Sequence, residues 1–186
     1  MGASLTARRG LLCAAERRRD HRHGVASALG WAHDGPMQLS IHLVGGPTAI
    51  LEYGGLRWLT DPTLSPPGEY GGLTKLTGPA VEPDRIGPID VVLVSHHHHA
   101  DNLDPAGREL LPSASRVLST TRAAEELGLD NVVGMEPWST IEVGGVTVTA
   151  VHAQHGPDGT DAIQGPVLGF VLAAPGKEAV YVSGDN

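Results

Sequence analysis

The chain has 186 residues, of which 40% are hydrophobic, and a formal net charge of −8 at pH 7; this is enough apolar material for one packed domain and the wrong composition for a fibrous or unstructured protein. The acidic balance and an aromatic content of only 4% argue against a nucleic-acid or anionic-membrane binder, which needs positive charge and stacking rings. A single cysteine, Cys13, excludes an internal disulfide or a cysteine-based zinc cluster, and the longest apolar runs, such as Val167–Ala174, fall short of the roughly 20 residues that cross a bilayer, so a cytoplasmic setting is expected.

Residues 1–36 carry six arginines against three acidic residues and lack sustained periodicity. They read as a disordered extension or an over-long choice of start, with the domain beginning at Met37. The Arg8-Arg9 pair invites a twin-arginine export reading, but Gly10–Ala15 is too short an apolar stretch and Glu16–Arg19 interrupts it. From Met37 short strands alternate with Gly and Pro punctuation. Gln38–Val44, Thr48–Tyr53 and Leu56–Thr60 read as strands, the last two joined by a Gly54-Gly55 hairpin turn. Asp61–Pro83 reads as a long ordered loop, and Asp90–Ser95 as a strand buried on both faces. A helix is expected over Asp104–Leu111, with Asp104 as N-cap, Pro105 at the first position and Pro112 as terminator; a second covers Thr121–Leu127 and is closed by Gly128. Strands return at Ser139–Val143, Val146–His152, Val167–Ala173 and Ala179–Val182. The pattern predicts an α+β or layered sandwich.

Ten histidines stand out, four of them consecutive in Ser95-His96-His97-His98-His99-Ala100-Asp101-Asn102, where a buried strand gives way to a helix. In extended chain alternate side chains share a face, so His97, His99 and Asp101 converge while His96 and His98 face elsewhere. The other register meets Ala100 where a carboxylate is wanted, and the odd set is therefore expected. Two imidazoles and a carboxylate suit Zn²⁺ without cysteine. His152 and His155 follow a later strand, and Ser183-Gly184-Asp185 ends the last one, so three strand ends carry metal-type ligands.

The run His97-x-His99-x-Asp101-Asn102, then His155-Gly156-Pro157, then Ser183-Gly184-Asp185, resembles successive motifs of the metallo-β-lactamase-fold hydrolases, in flavour closest to the L-ascorbate-6-phosphate lactonase branch. Gly45-Gly46-Pro47-Thr48 and Leu59-Thr60-Asp61-Pro62 belong to the same resemblance, which runs from near Met37 to the last residue. It implies a layered α/β/β/α sandwich, incomplete at the C-terminus. It also implies His97, His99 and His155 as ligands of one metal, Asp101 as ligand of a second and as the catalytic group that orients water and relays its proton, Asp185 as a bridge, and Asp61 as a supporting carboxylate. His152 competes with His155, but the Gly-Pro after His155 matches the family better. Asn102 stands where the commonest motif has histidine, and its neutral amide oxygen is a poorer zinc ligand, which weakens the second site. The family continues beyond the position of Asn186 with further strands, helices and a last ligand histidine, so weak metal binding and aggregation are expected of a form ending here.

The chemistry so implied is hydrolysis of an ester, lactone, amide or phosphodiester of a small molecule by zinc-bound hydroxide, using one ion or two, with Mn²⁺ or Fe²⁺ as alternative metals. A catalytically impaired metal-binding relative and a nuclease are the competing readings, the second disfavoured by the acidic charge. No nucleic-acid or membrane partner is expected. Phosphate loops and a Gly-x-Ser-x-Gly elbow are absent from the sequence, and Cys13 lies in the N-terminal extension, which disfavours nucleotide cofactors and a serine or cysteine nucleophile.

Overall fold

A computed structural model describes residues 39–157 and 165–186; the expected extension over residues 1–36 lies outside them. The first three strands are a meander: β1 (Leu39–Gly45), β2 (Thr48–Tyr53) and β3 (Leu56–Thr60) pair antiparallel. Gly54 and Gly55 turn between β2 and β3 at φ 63° and 81°, a backbone that side-chain-bearing residues rarely adopt. The stretch expected as a plain loop after Asp61 contains a small hairpin, β4 (Gly68–Tyr70) and β5 (Leu73–Lys75). β6 (Val91–Leu93) then lies parallel to β3.

Helix α1 (Pro105–Leu110) begins as the sequence predicts: the Asp104 carboxylate accepts the Gly107 amide at 2.9 Å, and Pro105 occupies the first helical position. Pro112 falls inside a 3₁₀ turn, Leu111–Ser113, that continues from the helix. Asp104 also accepts Leu64 N (3.0 Å), Ser65 N (2.7 Å) and Lys75 Nζ (3.1 Å). Burial raises the affinity of this carboxyl for its proton, but three amide donors and an ammonium outweigh it and hold the pKa below the ordinary value. One side chain thereby fastens the loop after β3 to the helix after β6.

Two strands escape the sequence reading: β7 (Arg116–Thr120) and β8 (Val132–Met135), both parallel additions next to β6, with α2 (Thr121–Leu127) crossing between them. Their four or five residues carry no alternation long enough to register, and Gly134 interrupts β8. The glycine is needed, since a Cβ there would lie 2.7 Å from the Cα of Thr121. Helix α2 has the bounds expected, capped by Thr120 and ended by Gly128 at φ 61°. β9 (Thr140–Val143), β10 (Val146–Ala153), β11 (Val167–Ala173) and β12 (Val180–Val182) complete the described chain.

The strands form a six-stranded sheet, ordered β1-β2-β3-β6-β7-β8, and a four-stranded antiparallel sheet, ordered β12-β11-β10-β9. Alternation along the central strands divides two cores. Leu51, Trp58, Val91, Leu93 and Leu118 face Val146, Val148, Leu168, Phe170 and Leu172 of the second sheet, whereas Ile50, Leu59, Val92, Val94 and Val117 face the other way, against Leu103, Leu111 and the helix residues Ala106, Leu110 and Leu127. The result is an α+β sandwich with helices on the outer face of the first sheet. At its β1 end, Ile41 and Leu43 share the inner face with their partners Leu51 and Ala49, yet are 61% and 67% exposed, because the second sheet does not reach over β1. Among the described residues no helix is long and apolar enough to cross a membrane.

Gly107 lets α1 pack closely on the loop after β3, where an added Cβ would sit 1.8 Å from the carbonyl oxygen of Pro62. Gly107→Ala is expected to cost about 1–3 kcal/mol through forced displacement of that loop. Urea denaturation measures it, and an unchanged midpoint would show that the loop yields freely.

Candidate metal centre

The ends of β3, β6, β10 and β12 supply Asp61, Ser95–His99, His155 and Asp185. Beyond Leu93 the chain leaves the sheet: residues 97–99 bend, 100–102 turn, and Asn102 N and Leu103 N both donate to the carbonyl of His99 (3.2 and 3.0 Å). Alternation therefore ends before the histidine run. Residues three apart, rather than two, come to one side, and His96 Nε2 lies 2.9 Å from His99 Nδ1. His155 Nδ1 lies 3.1 Å from Asp185 Oδ2, with its ring centroid 5.3 Å from that of His96 and 5.2 Å from that of His99. One atom from each of His96, His99, His155 and Asp185 falls within 4.8 Å of all the others.

This donor set fits a divalent ion. Three imidazoles and a carboxylate are zinc-type ligands, and bonds of about 2.0–2.2 Å to a common ion place ligand atoms roughly 3.3 Å apart, close to the two short separations already present. Burial, reinforced by the neighbouring imidazoles of His99, His98, His155 and His97, pushes the His96 pKa down to about 3, so this ring is neutral with a lone pair to offer.

Of the residues singled out in the sequence, His99, His155 and Asp185 are brought together as expected, and three are not. His97 is replaced in the cluster by His96. Its side chain turns to the helix side, where Nε2 lies 2.7 Å from Glu126 Oε2, and its carbonyl accepts from Arg108. Asp101 is exposed and outside the cluster. Asn102 is buried, with Ser95 Oγ 3.4 Å from one end of its amide; the other end faces Asp101 Oδ1 (3.1 Å) and Asp185 Oδ2 (3.2 Å), and a nitrogen turned that way donates to both carboxylates. In that orientation it bridges the two acids. His152 is an exposed β10 residue paired with Leu168, outside the four-residue cluster. The signal that could have found His96 is Asp104: a helix cap so soon after Ser95 leaves little room for an extended run.

A family profile described as the beta-lactamase superfamily domain matches residues 57–186, from β3 through all four cluster residues. The chain belongs to the β-lactamase superfamily. A relative from Solibacter usitatus, named a UPF0173 metal-dependent hydrolase, is 29% identical over 108 residues, covering 55% of this chain and 47% of that protein. The chain thus spans about half the length of the curated relatives it matches. Among solved structures, an isothiocyanate hydrolase from Delia radicum gut bacteria superposes with a TM-score of 0.65 at 22% identity, over 78% of this chain and 62% of the other. A protein from Veillonella parvula described as a possible metal-dependent hydrolase gives 0.67 at 20%, over 81% and 64%. These likenesses establish the metallo-β-lactamase fold.

In this superfamily domain Asp61 lies behind the cluster. It is 3% exposed, has φ 29°, and accepts Ser95 N at 2.6 Å. Burial pushes its pKa from 3.8 up to about 7; hydrogen bonds from Ser95 oppose this, and the charge of Asp185 adds to it. The folded chain therefore holds this proton more tightly than the unfolded chain. The stabilisation is present below the unfolded value, 3.8, and is lost as pH rises through about 7. In chelator, stability is expected to fall across that interval and Asp61→Asn to flatten its contribution. Denaturant titrations from pH 4.5 to 7.5 check this; an identical slope in the variant would remove Asp61 as the source.

Proposed function

We propose that this domain is the metal-binding part of a hydrolase acting on an ester, lactone, amide or phosphodiester bond of a small molecule. The observation that carries the reading is the convergence of His96, His99, His155 and Asp185 at the C-terminal ends of strands from both sheets. The names of the relatives support the metal-dependent hydrolase class.

A divalent ion held there, Zn²⁺ by donor type, would lower the pKa of a water toward neutrality and would polarise the oxygen under attack. The chain's own residues do the rest. The three imidazoles and the Asp185 carboxylate hold the ion, while Asn102 keeps the Asp101 and Asp185 carboxylates apart and oriented by donating to both. Asp101, exposed and linked through Asn102 to Asp185, would accept a proton from the attacking water and return it to a leaving group. Ser95, fixed through its amide by Asp61, holds the start of the histidine turn in place. Acidic overall charge favours a neutral or locally neutralised substrate over a polyanion.

Purified protein assayed with lactone, ester, amide and phosphodiester substrates, with and without Zn²⁺, Mn²⁺ or Fe²⁺, tests the reading. His96→Ala is expected to lower Zn²⁺ affinity at least tenfold and to abolish metal-stimulated turnover, while Asp101→Asn keeps the ion and loses turnover by about 10²-fold or more. Unchanged zinc affinity in His96→Ala would overturn the ligand set. Turnover of a substrate indifferent to chelator would overturn the mechanism.

A further inference from the structure

The histidine run poses a problem of choice. Four consecutive imidazoles can offer several pairs to one ion, and nothing in the side-chain chemistry distinguishes them. We propose that Glu126, on α2, is a positioning residue that selects the ligand pair by capturing His97, leaving His96 and His99 to face the metal centre; the inference rests on the metal-centre reading above.

The geometry supports a capture. Glu126 Oε2 lies 2.7 Å from His97 Nε2, while Glu126 Oε1 is held at 2.7 Å by Arg122 Nε one helical turn earlier, so the carboxylate is itself fixed from its own helix. Arg108 of α1 donates to the His97 carbonyl, so the same residue is gripped at backbone and side chain by two helices. The captured ring is 4% exposed, and its other nitrogen, Nδ1, is buried without a hydrogen-bond partner. The charge-assisted bond at Nε2 is what holds the ring on the helix side. Remove that partner and the ring is released to turn, within a sequence step of His96 and beside the His98 ring, 5.5 Å away between centroids. A metal ion is then the strongest available partner for His97, at the expense of the native pair.

A purely structural role for Glu126 makes different predictions, and Co²⁺ separates them, because its visible absorption reports the ligand set independently of turnover. The protein is titrated with Co²⁺ as wild type, Glu126→Gln, Glu126→Ala, and the double variant His97→Ala/Glu126→Ala, with thermal melts to show that each is folded. Wild type is expected to give one spectrum at one equivalent. Glu126→Gln retains an oxygen acceptor for His97 and keeps that spectrum. Glu126→Ala gives a shifted or mixed spectrum, with Co²⁺ affinity about tenfold or more lower. The double variant has no competing imidazole at 97 and recovers the wild-type spectrum and affinity. An unchanged Glu126→Ala spectrum, or a double variant as impaired as the single one, would overturn the selection role while leaving the metal centre intact. Failure of wild type to bind Co²⁺ would instead overturn the centre itself.

Discussion

The site depends on how the chain is held at Ser95. Its amide donates to the buried Asp61 carboxylate from the end of the neighbouring strand, and its carbonyl accepts Leu168 N from the opposite sheet at 3.1 Å. Gly184, at φ 65°, packs against the same residue so closely that a Cβ would come 2.8 Å from the Ser95 Cβ and 2.4 Å from the Leu168 oxygen. One residue therefore joins both sheets and the segment leading to Asp185. His96 follows it directly, which is why the two halves of the ligand set, one from each sheet, arrive at a common point without any of them lying on a regular strand.

Much of the frame was legible in the sequence because it rests on local rules. Glycine pairs set the hairpins, an Asp-Pro pair starts α1, and a left-handed glycine ends α2; β2, β3, α2 and β11 have the bounds those signals imply. The parallel strands β7 and β8 were not legible, since their existence is decided by neighbours distant in sequence and not by a pattern within them, while the hairpin after Asp61 turns at its own Gly71-Gly72 pair but has strands of three residues, too short for an alternation to register. The site divides in the same way. His99, His155 and Asp185 followed from residue type at a strand end, while the exchange of His97 for His96 turned on whether the backbone beyond Leu93 stayed extended. Strand periodicity has no authority past the last paired residue, and the hydrogen bonds to the His99 carbonyl show where it lapses. Glu126 had no signal at all, because one of two adjacent exposed acids on a helix acquires meaning only from what lies across from it.

Charge is used differently in two layers of the molecule. Asp104 is surrounded by donors and stays ionised as a structural knot, whereas Asp61 is buried with fewer and retains its proton to near neutrality. Both carboxyls are almost wholly shielded from solvent. The number of donors, not burial alone, sets the two apart, and it matches their positions: the ionised one fastens loop to helix, the protonatable one sits behind a set of ligands that would bring positive charge.

The ligand constellation has a mechanical side as well. Its members come from three stretches widely separated along the polypeptide, and the third, Asp185, lies beside Asn186, whose Oδ1 accepts the Gln154 amide at 2.9 Å just beyond β10. An ion seated among them would act as a rivet through both sheets, tying the segment after β12, an edge strand of the second sheet, to the segment after β6 in the first. Occupancy would then govern cooperativity of unfolding as much as chemistry.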